Sequence, residues 1–581
     1  MVRTPHKIYK NVADSETGVI RKQWKKRVKV ALVYPNTYHV GMSNLGFQAV
    51  YELINSYEDM LCERSFLPDD GERTGTGRIT TIESGNDIRA FDLVAFSVSY
   101  ENDFPNLLSI LEKAKLPLQS KDRVPPHPLV IAGGVAFFLN PEPMAPFIDC
   151  FLIGEAEAVL PKFLTTFSPD TLARDRQQCL NIIARDVPGA YIPSFYSASY
   201  HPDGTLGALE PIFDVPAKVE RLYVRDLSRT PTCSAIITSD TIFDNTFLIE
   251  VSRGCAHGCR FCASGFVYRP PRFRPFPLLM ECMDQGVSKT SKIGLVGAAV
   301  SDLPDLEKIC AKVEKDTRVS FSSLRADALT SELLSVLRKS KAKTATIAPD
   351  AGSERMRKVI NKGIEETDIL EAVEQIVAAG ILNIRLYFMV GLPTETMDDV
   401  EAIPALCKRI KHQFLKSSRA RKRMGEITVS LNSFVPKPFT PFQWVKMDDV
   451  HLLKEKIKKV KNALKRVANV RVHADIPRWA YIQGLLARGD RRVAQLLSRA
   501  NANQGNWPKT LKSSPINPDF YVLRERSLDE LLPWDFIDHG IRKTFLKSEY
   551  KRALQGKVSP PCPVESCSIC GVCTENSEDK V

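Results

Sequence analysis

Three cysteines within eight residues, Cys255, Cys259 and Cys262, have the residue type and spacing of a metal centre. They lie in Arg253-Gly254-Cys255-x3-Cys259-Arg260-Phe261-Cys262, directly after the apolar run FLIEV. Three thiolates on a glycine-bearing loop can hold three irons of a [4Fe-4S] cluster, leaving the fourth iron open to a small molecule's amine and carboxylate. The alternatives are a zinc knuckle with a distant fourth ligand and a purely structural cluster. A second set, Cys562-Pro563-x3-Cys567-x2-Cys570-x2-Cys573, closes the sequence. Four thiolates this close suit either structural zinc or an auxiliary [4Fe-4S] cluster. Zinc ribbons use two separate C-x2-C knuckles, whereas here Cys570 would be shared. C-x2-C-x2-C instead matches the opening of a bacterial ferredoxin run, so iron is the favoured reading.

These motifs need elements to carry them. The chain has 581 residues, 44% hydrophobic and 25% charged, with a net charge of +12. That length supports about three or four domains, and the composition excludes a largely disordered chain. No apolar run approaches the ~20 residues of a membrane span. The N-terminus carries no secretory signature, so a cytoplasmic location with no membrane partner is expected. Fourteen cysteines in a reducing compartment read as metal ligands before disulfides where they cluster.

Short apolar segments (VKVALVYP, ERSFLP, DLVAFSVS, PLVIAGG, CFLIGE) alternate with polar or helical stretches up to about residue 166, which predicts a doubly wound parallel sheet. Residues 167–245 read as a connector with a β-hairpin turning at Pro202-Asp203-Gly204. A second βα series, FLIEV, KIGLVG, VSFSSLR, TATIAPD, NIRLYFMVG and ITVSLNSFVP, supplies six strands of a partial or full α/β barrel. Its functional loops fall at the carboxyl ends of the strands. From about 446 the pattern turns helical and basic.

The C-x3-C-x2-C loop and its strands resemble the radical SAM superfamily over about residues 246–445. The resemblance implies that Cys255, Cys259 and Cys262 hold a [4Fe-4S] cluster, that S-adenosylmethionine (SAM) binds its open iron, and that a one-electron donor of flavodoxin or ferredoxin type reduces it. By the same resemblance Phe261 lies near the adenine, and Gly297, in LVGAAVSD, offers backbone to the SAM amino group. The family's Gly-Gly-Glu is Gly-Ala-Ala here. Arg325 is placed to pair the SAM carboxylate, Asp350 to bind the ribose, and Gly391 to line the adenine pocket.

The N-terminal segments VALVYPNTYHVGMSNLG, LVAFSVSYENDF, VIAGGVAFFLNPEP and FLIGEAEAVLP resemble the cobalamin-binding domain that precedes a class of radical SAM enzymes. Gly133, Gly134, Gly154 and Glu155 would let backbone approach the corrin. The Asp-x-His-x-x-Gly signature of proteins that ligate cobalt through histidine is absent, with Asn36, His39 and Gly41 at other spacing. A vestigial domain that binds no cofactor is the alternative.

Nearly the whole chain resembles a cobalamin-domain radical SAM family with a four-cysteine tail. The implied organisation is an N-terminal arm (1–27), a cobalamin-binding-like Rossmann domain (28–166), a connector (167–245), a radical SAM barrel (246–445), a helical extension (446–555) and a metal-binding tail (556–581). The implied activity is methyl transfer to an unactivated carbon with SAM and cobalamin. RNA is a candidate substrate, because Lys416, Arg419, Arg421, Lys422, Arg423, a basic helix at EKIKKVKNALKRV, and Arg488, Arg491 and Arg492 cluster late in the chain. His473, Asp475, Trp479, Tyr481, Arg488 and Asp490 are further substrate-site candidates, with helix packing and ion pairs as their plainer role. Two other activities fit the same motifs: methylthiotransferase-like RNA modification with two clusters, and a non-catalytic RNA- or ribosome-binding iron–sulfur protein.

Overall fold

The computed structural model describes residues 15–68, 78–172, 174–313, 316–322, 324–418, 425–564 and 567–573. Its first sheet contains β1 (Val28–Tyr34), β2 (Met60–Phe66), β3 (Leu93–Ser97), β4 (Leu129–Gly133), β5 (Cys150–Leu152) and β6 (Ala190–Tyr191), in the order β2-β1-β3-β4-β5-β6. The first five are parallel and β6 is antiparallel. These strands are covered on both faces, which is why they read as continuous apolar runs. The helix Leu45–Ser56 starts where the Asn44 side chain accepts the Phe47 N–H. Strand order reverses between β1 and β3, and such a switch point opens a crevice at the carboxyl ends of the strands.

The predicted hairpin is β7 (Tyr196–Tyr200) and β8 (Leu206–Pro211). It is followed by β9 (Val219–Glu220). The barrel begins with β10 (Phe247–Glu250), and the short β11 (Ser252–Arg253) pairs with β12 (Arg272–Phe273) around the three-cysteine loop. β10, β13 (Lys292–Val296) and β14 (Arg318–Phe321) form one parallel sheet. β15 (Thr344–Asp350), β16 (Asn383–Val390), β17 (Ile427–Ser433) and β18 (Val470–Ala474) form another. A cavity of about 230 Å³ lies between β14 and β15.

β18 is a seventh barrel strand inside the segment read as a helical extension. Its residues alternate half-buried and exposed at a sheet edge, so VRVHA lacks the apolar run that marks the other strands. The chain after it returns to the N-terminal unit. The short strand β19 (Ile537–Asp538) pairs in parallel with β9, Asn140 Nδ2 donates to the carbonyls of Ala487 (3.2 Å) and Gly489 (2.7 Å), and the Arg491 guanidinium meets Glu142 at 3.2 Å. One hydrophobic core holds Val30, Phe96 and Phe151 of the first sheet together with Leu485, Trp534 and Tyr550 of the C-terminal region. A second core fills the barrel, from Ile237 to Leu464. No helix among the described residues is long and apolar enough to cross a membrane.

Candidate active site

The carboxyl ends of β1, β3, β4 and β5 face those of β10 and β13 across a cavity of about 550 Å³. Leu32, Ala95, Gly133, Gly134 and Gly154 line one side. Glu250, Ser252, Gly254 and Gly297 line the other. The cavity therefore joins the two units at the ends of the strands where α/β proteins bind ligands.

The glycines on its wall differ in what demands them. Gly134 has φ +111°, and a Cβ there would lie 2.3 Å from the Val98 carbonyl oxygen. A Cβ on Gly154 would lie 2.6 Å from the Leu222 oxygen. Both are required by close approach of the protein's own backbone. Gly133 is different, because a Cβ there meets nothing closer than the Leu152 oxygen at 3.6 Å. Gly134→Ala is expected to lower the unfolding free energy by about 1–3 kcal/mol from backbone strain alone, measured by urea denaturation, with Gly133→Ala near neutral.

Glu155 reaches the site through its side chain, and not only through the backbone expected of it. Its buried carboxylate meets Arg272 at 2.6 Å, Arg253 at 2.8 Å and Arg221 at 3.9 Å. Arg253 also meets Glu157 at 2.5 Å and Glu250 at 3.0 Å, and Arg274 meets Glu250 at 2.9 Å. Burial alone would raise the Glu155 pKa. The hydrogen bonds and charge of Arg272, then the charges of Arg253 and Arg221, instead pull it down to about 2. This network binds the first unit to Arg253, two residues before Cys255, and nothing in the spacing of these charges along the sequence announces it.

The three-cysteine loop closes against the barrel. Gly254 has φ +76°, and a Cβ there would lie 2.5 Å from the Tyr268 oxygen, so the turn that presents Cys255 needs glycine. Cys259 is buried, while Cys255 and Cys262 are half-buried. Burial pushes the free thiols up, Cys255 to about 11 and Cys259 to about 12. The charge of Lys362 opposes this at Cys259, and that of Arg325 at Cys255. The three thiols sit on one eight-residue loop. His257 Nε2 lies 2.7 Å from Asp302 Oδ2, and these two with Cys255 bring their ligand atoms within 4.8 Å of one another. Arg260 is wholly buried and donates to the carbonyls of Lys358 (3.2 Å) and Val359 (3.0 Å).

The other predicted SAM-site residues fall around this loop. Phe261 is half-buried against the core. The Gly297 N–H donates to Ser322 Oγ at 3.2 Å, and a Cβ on Gly297 would lie 2.6 Å from Ser252 Oγ. Arg325 is paired with Asp327 at 2.7 Å. Asp350, at φ +61° on the end of β15, is paired with Lys362 at 2.6 Å. At Gly391, Leu453 and Asp448 of the protein's own chain make the close approach, and its N–H donates to Glu395 at 2.7 Å.

Several candidates prove to be packing. Arg488 is fully buried, Arg491 pairs with Glu142, and Arg492 pairs with Asp490 at 2.5 Å, so these three are no free basic surface. Tyr481 donates to Asp519 at 2.5 Å, and Asp475 accepts from Ser433 N at 2.9 Å. Trp479 stays exposed. His39 is an exposed partner of Asp240 at 3.0 Å and is not part of the cavity wall. Among the described residues lining the cavity there is no histidine, cysteine or methionine. Lys416 lies in the helix Met397–Ser418, while Arg419, Arg421, Lys422 and Arg423 lie outside the described residues. Lys454, Lys458, Lys461 and Lys465 form an exposed stripe on and just beyond the helix Val450–Leu464.

Comparison with known proteins agrees with this layout. Residues 46–193 match the family model described as radical SAM proteins, N-terminal, and residues 249–407 match that of the radical SAM superfamily. An uncharacterized protein of Methanocaldococcus jannaschii is 30% identical over 521 residues, 89% of this chain and 98% of its own length. A tRNA-2-methylthio-N(6)-dimethylallyladenosine synthase of Fusobacterium nucleatum is 28% identical over 33% of this chain and 49% of its own. Among solved structures, the radical S-adenosylmethionine methyltransferase TsrM of Kitasatospora setae, with cobalamin and a [4Fe-4S] cluster bound, superposes with a TM-score of 0.50 and 14% identity, covering 84% of this chain and all of that one. At that identity the likeness is one of fold.

Proposed function

Because the chain belongs to the radical SAM superfamily, we propose that it is a cobalamin-dependent radical SAM methyltransferase acting at an unactivated carbon. When bound, a cluster with SAM would supply the hydrogen-abstracting radical, and cobalamin the methyl group. The observation that carries the reading is the cavity shared by β1, β3, β4 and β5 with β10 and β13. Its volume is within the range of cofactor sites. Its aliphatic and glycine lining, which includes Leu32, Ala95, Gly133 and Gly134, would seat the face of a corrin, with the charged Glu155, Glu250 and Arg253 also on the wall.

The protein's own part is to hold and shield. Cys255, Cys259 and Cys262 hold the cluster. The Gly297 backbone, Arg325 and Asp350 orient SAM, with Arg325 and Asp350 exchanging their present partners Asp327 and Lys362 for it. The connector and the returning C-terminal segment exclude water. The proposed substrate is RNA, held in part by the exposed Lys454, Lys458, Lys461 and Lys465 stripe.

Gly133→Leu tests the cavity. Gly133 lines the cavity and a Cβ there meets nothing closer than the Leu152 oxygen at 3.6 Å, and corrin retention after anaerobic purification is expected to fall at least about tenfold while iron content and SAM cleavage persist. Undiminished corrin, or none in the parent protein, would count against the reading.

Sulfur insertion into RNA is the second reading. It is favoured by the similarity to the Fusobacterium nucleatum synthase over a third of the chain. It predicts SAM cleavage with two clusters and no corrin.

A further inference from the structure

Away from the cavity, the four C-terminal cysteines fall within twelve residues, in a segment too short and polar to fold on a core of its own. Cys567 and Cys570 are nevertheless buried. The Arg542 N–H donates to the Cys570 carbonyl at 2.8 Å, its guanidinium donates to the Ile569 carbonyl at 3.0 Å, and the Ile569 N–H points to Cys567 Sγ at 3.4 Å.

Zinc and iron are separated by the ligand pattern. Cys567, Cys570 and Cys573 form C-x2-C-x2-C, the opening of a bacterial ferredoxin run, in which Cys570 would be shared between the two knuckles a zinc ribbon keeps apart.

The tail is also fastened to the first cysteine loop. The Cys562 N–H donates to the Ala256 carbonyl at 2.8 Å, next to Cys255. Arg260, inside the first motif, donates to the Lys557 carbonyl (2.7 Å) and Ser559 Oγ (3.1 Å) and pairs with Glu549 at 3.1 Å. The Ser559 N–H donates to Asn361 Oδ1 at 2.8 Å, and Asn361 Nδ2 donates to the Gly258 carbonyl at 3.2 Å. Through the Ala256 bond, the Cα atoms of Cys255 and Cys562 are no more than about 11 Å apart.

We propose that Cys562, Cys567, Cys570 and Cys573 bind a second [4Fe-4S] cluster, seated directly on the ligand loop of the first. The site is independent of cobalamin and of the reaction the protein performs. The full-length protein is reconstituted anaerobically with iron and sulfide. It is compared with a variant carrying serine at all four tail cysteines and with a second carrying serine at Cys255, Cys259 and Cys262. Each chain is assayed for iron, sulfide and zinc and examined by electron paramagnetic resonance after reduction. The parent is expected to hold about eight irons and each variant about four. The reduced parent should show a signal broadened by spin–spin coupling that is absent from both variants. If the tail variant misfolds, the Cys255/Cys259/Cys262 variant still reports the tail site through its own four irons. A parent with about four irons and one zinc, the zinc lost with the tail cysteines, would overturn the proposal. So would a three-cysteine variant that holds no iron. Neither result bears on corrin binding, so the function proposed above stands or falls separately.

Discussion

Cys259→Ala is expected to reduce the formation of 5′-deoxyadenosine from SAM to the background of the reductant alone. Cys259 is the buried member of the three-cysteine loop. Two thiolates cannot replace it, because the loop offers no other sulfur and His257 is already held by Asp302 at 2.7 Å. The assay is product formation under strictly anaerobic reduction, with iron content measured alongside. Cys407→Ala is the control, since Cys407 is buried in the barrel core far along the sequence from the loop. It should keep cleavage. Cleavage surviving in Cys259→Ala with its iron intact would mean that this loop is not the radical centre.

The second large effect is expected at Glu155. Glu155→Gln removes the carboxylate that Arg272, Arg253 and Arg221 share and leaves three buried guanidinium groups without it. Breaking a buried pair from one side costs about 3–5 kcal/mol. The pH dependence has a definite sign. The Glu155 pKa is depressed from 4.5 to about 2 in the folded protein, so its stabilisation is complete above the unfolded value and is lost as pH falls through the folded one. That difference corresponds to about 3 kcal/mol. Urea denaturation should therefore show the gap between parent and variant widest near neutral pH and narrowing below about pH 4.5. A gap independent of pH would assign the loss to packing.

What the sequence displays and what it conceals divides along a physical line. The parallel strands were legible because burial on both faces writes them as apolar runs, and β1, β4, β10 and β16 fall where VKVALVYP, PLVIAGG, FLIEV and NIRLYFMVG predict them. The cysteine loop was legible because its three thiols are local in the sequence. β18 was hidden because an edge strand with exposed Arg471 and His473 has no such run. The return of the C-terminal segment onto the first sheet was hidden because its bonds join residues as distant as Asn140 and Gly489. Charge was the least legible property. Arg488, Arg491 and Arg492 look like a basic surface, yet they are buried or paired, and Glu155 matters through side-chain ion pairs that only the folded arrangement reveals. Glycine was legible as a type but not as a role. Gly134 and Gly154 admit the protein's own backbone at close range, whereas a Cβ on Gly133 would meet only ordinary contact, with the Leu152 oxygen at 3.6 Å.

The most direct test of the central claim follows the methyl group of SAM. The reconstituted protein, supplied with cobalamin, a reductant and SAM carrying an isotopically labelled S-methyl group, is separated from small molecules and its corrin is extracted. The account predicts about one corrin per chain, labelled at cobalt, in a protein that also forms 5′-deoxyadenosine, and loss of both the corrin and its label in Gly133→Leu. Formation of 5′-deoxyadenosine by a protein that binds no corrin, or whose corrin stays unlabelled, would contradict it.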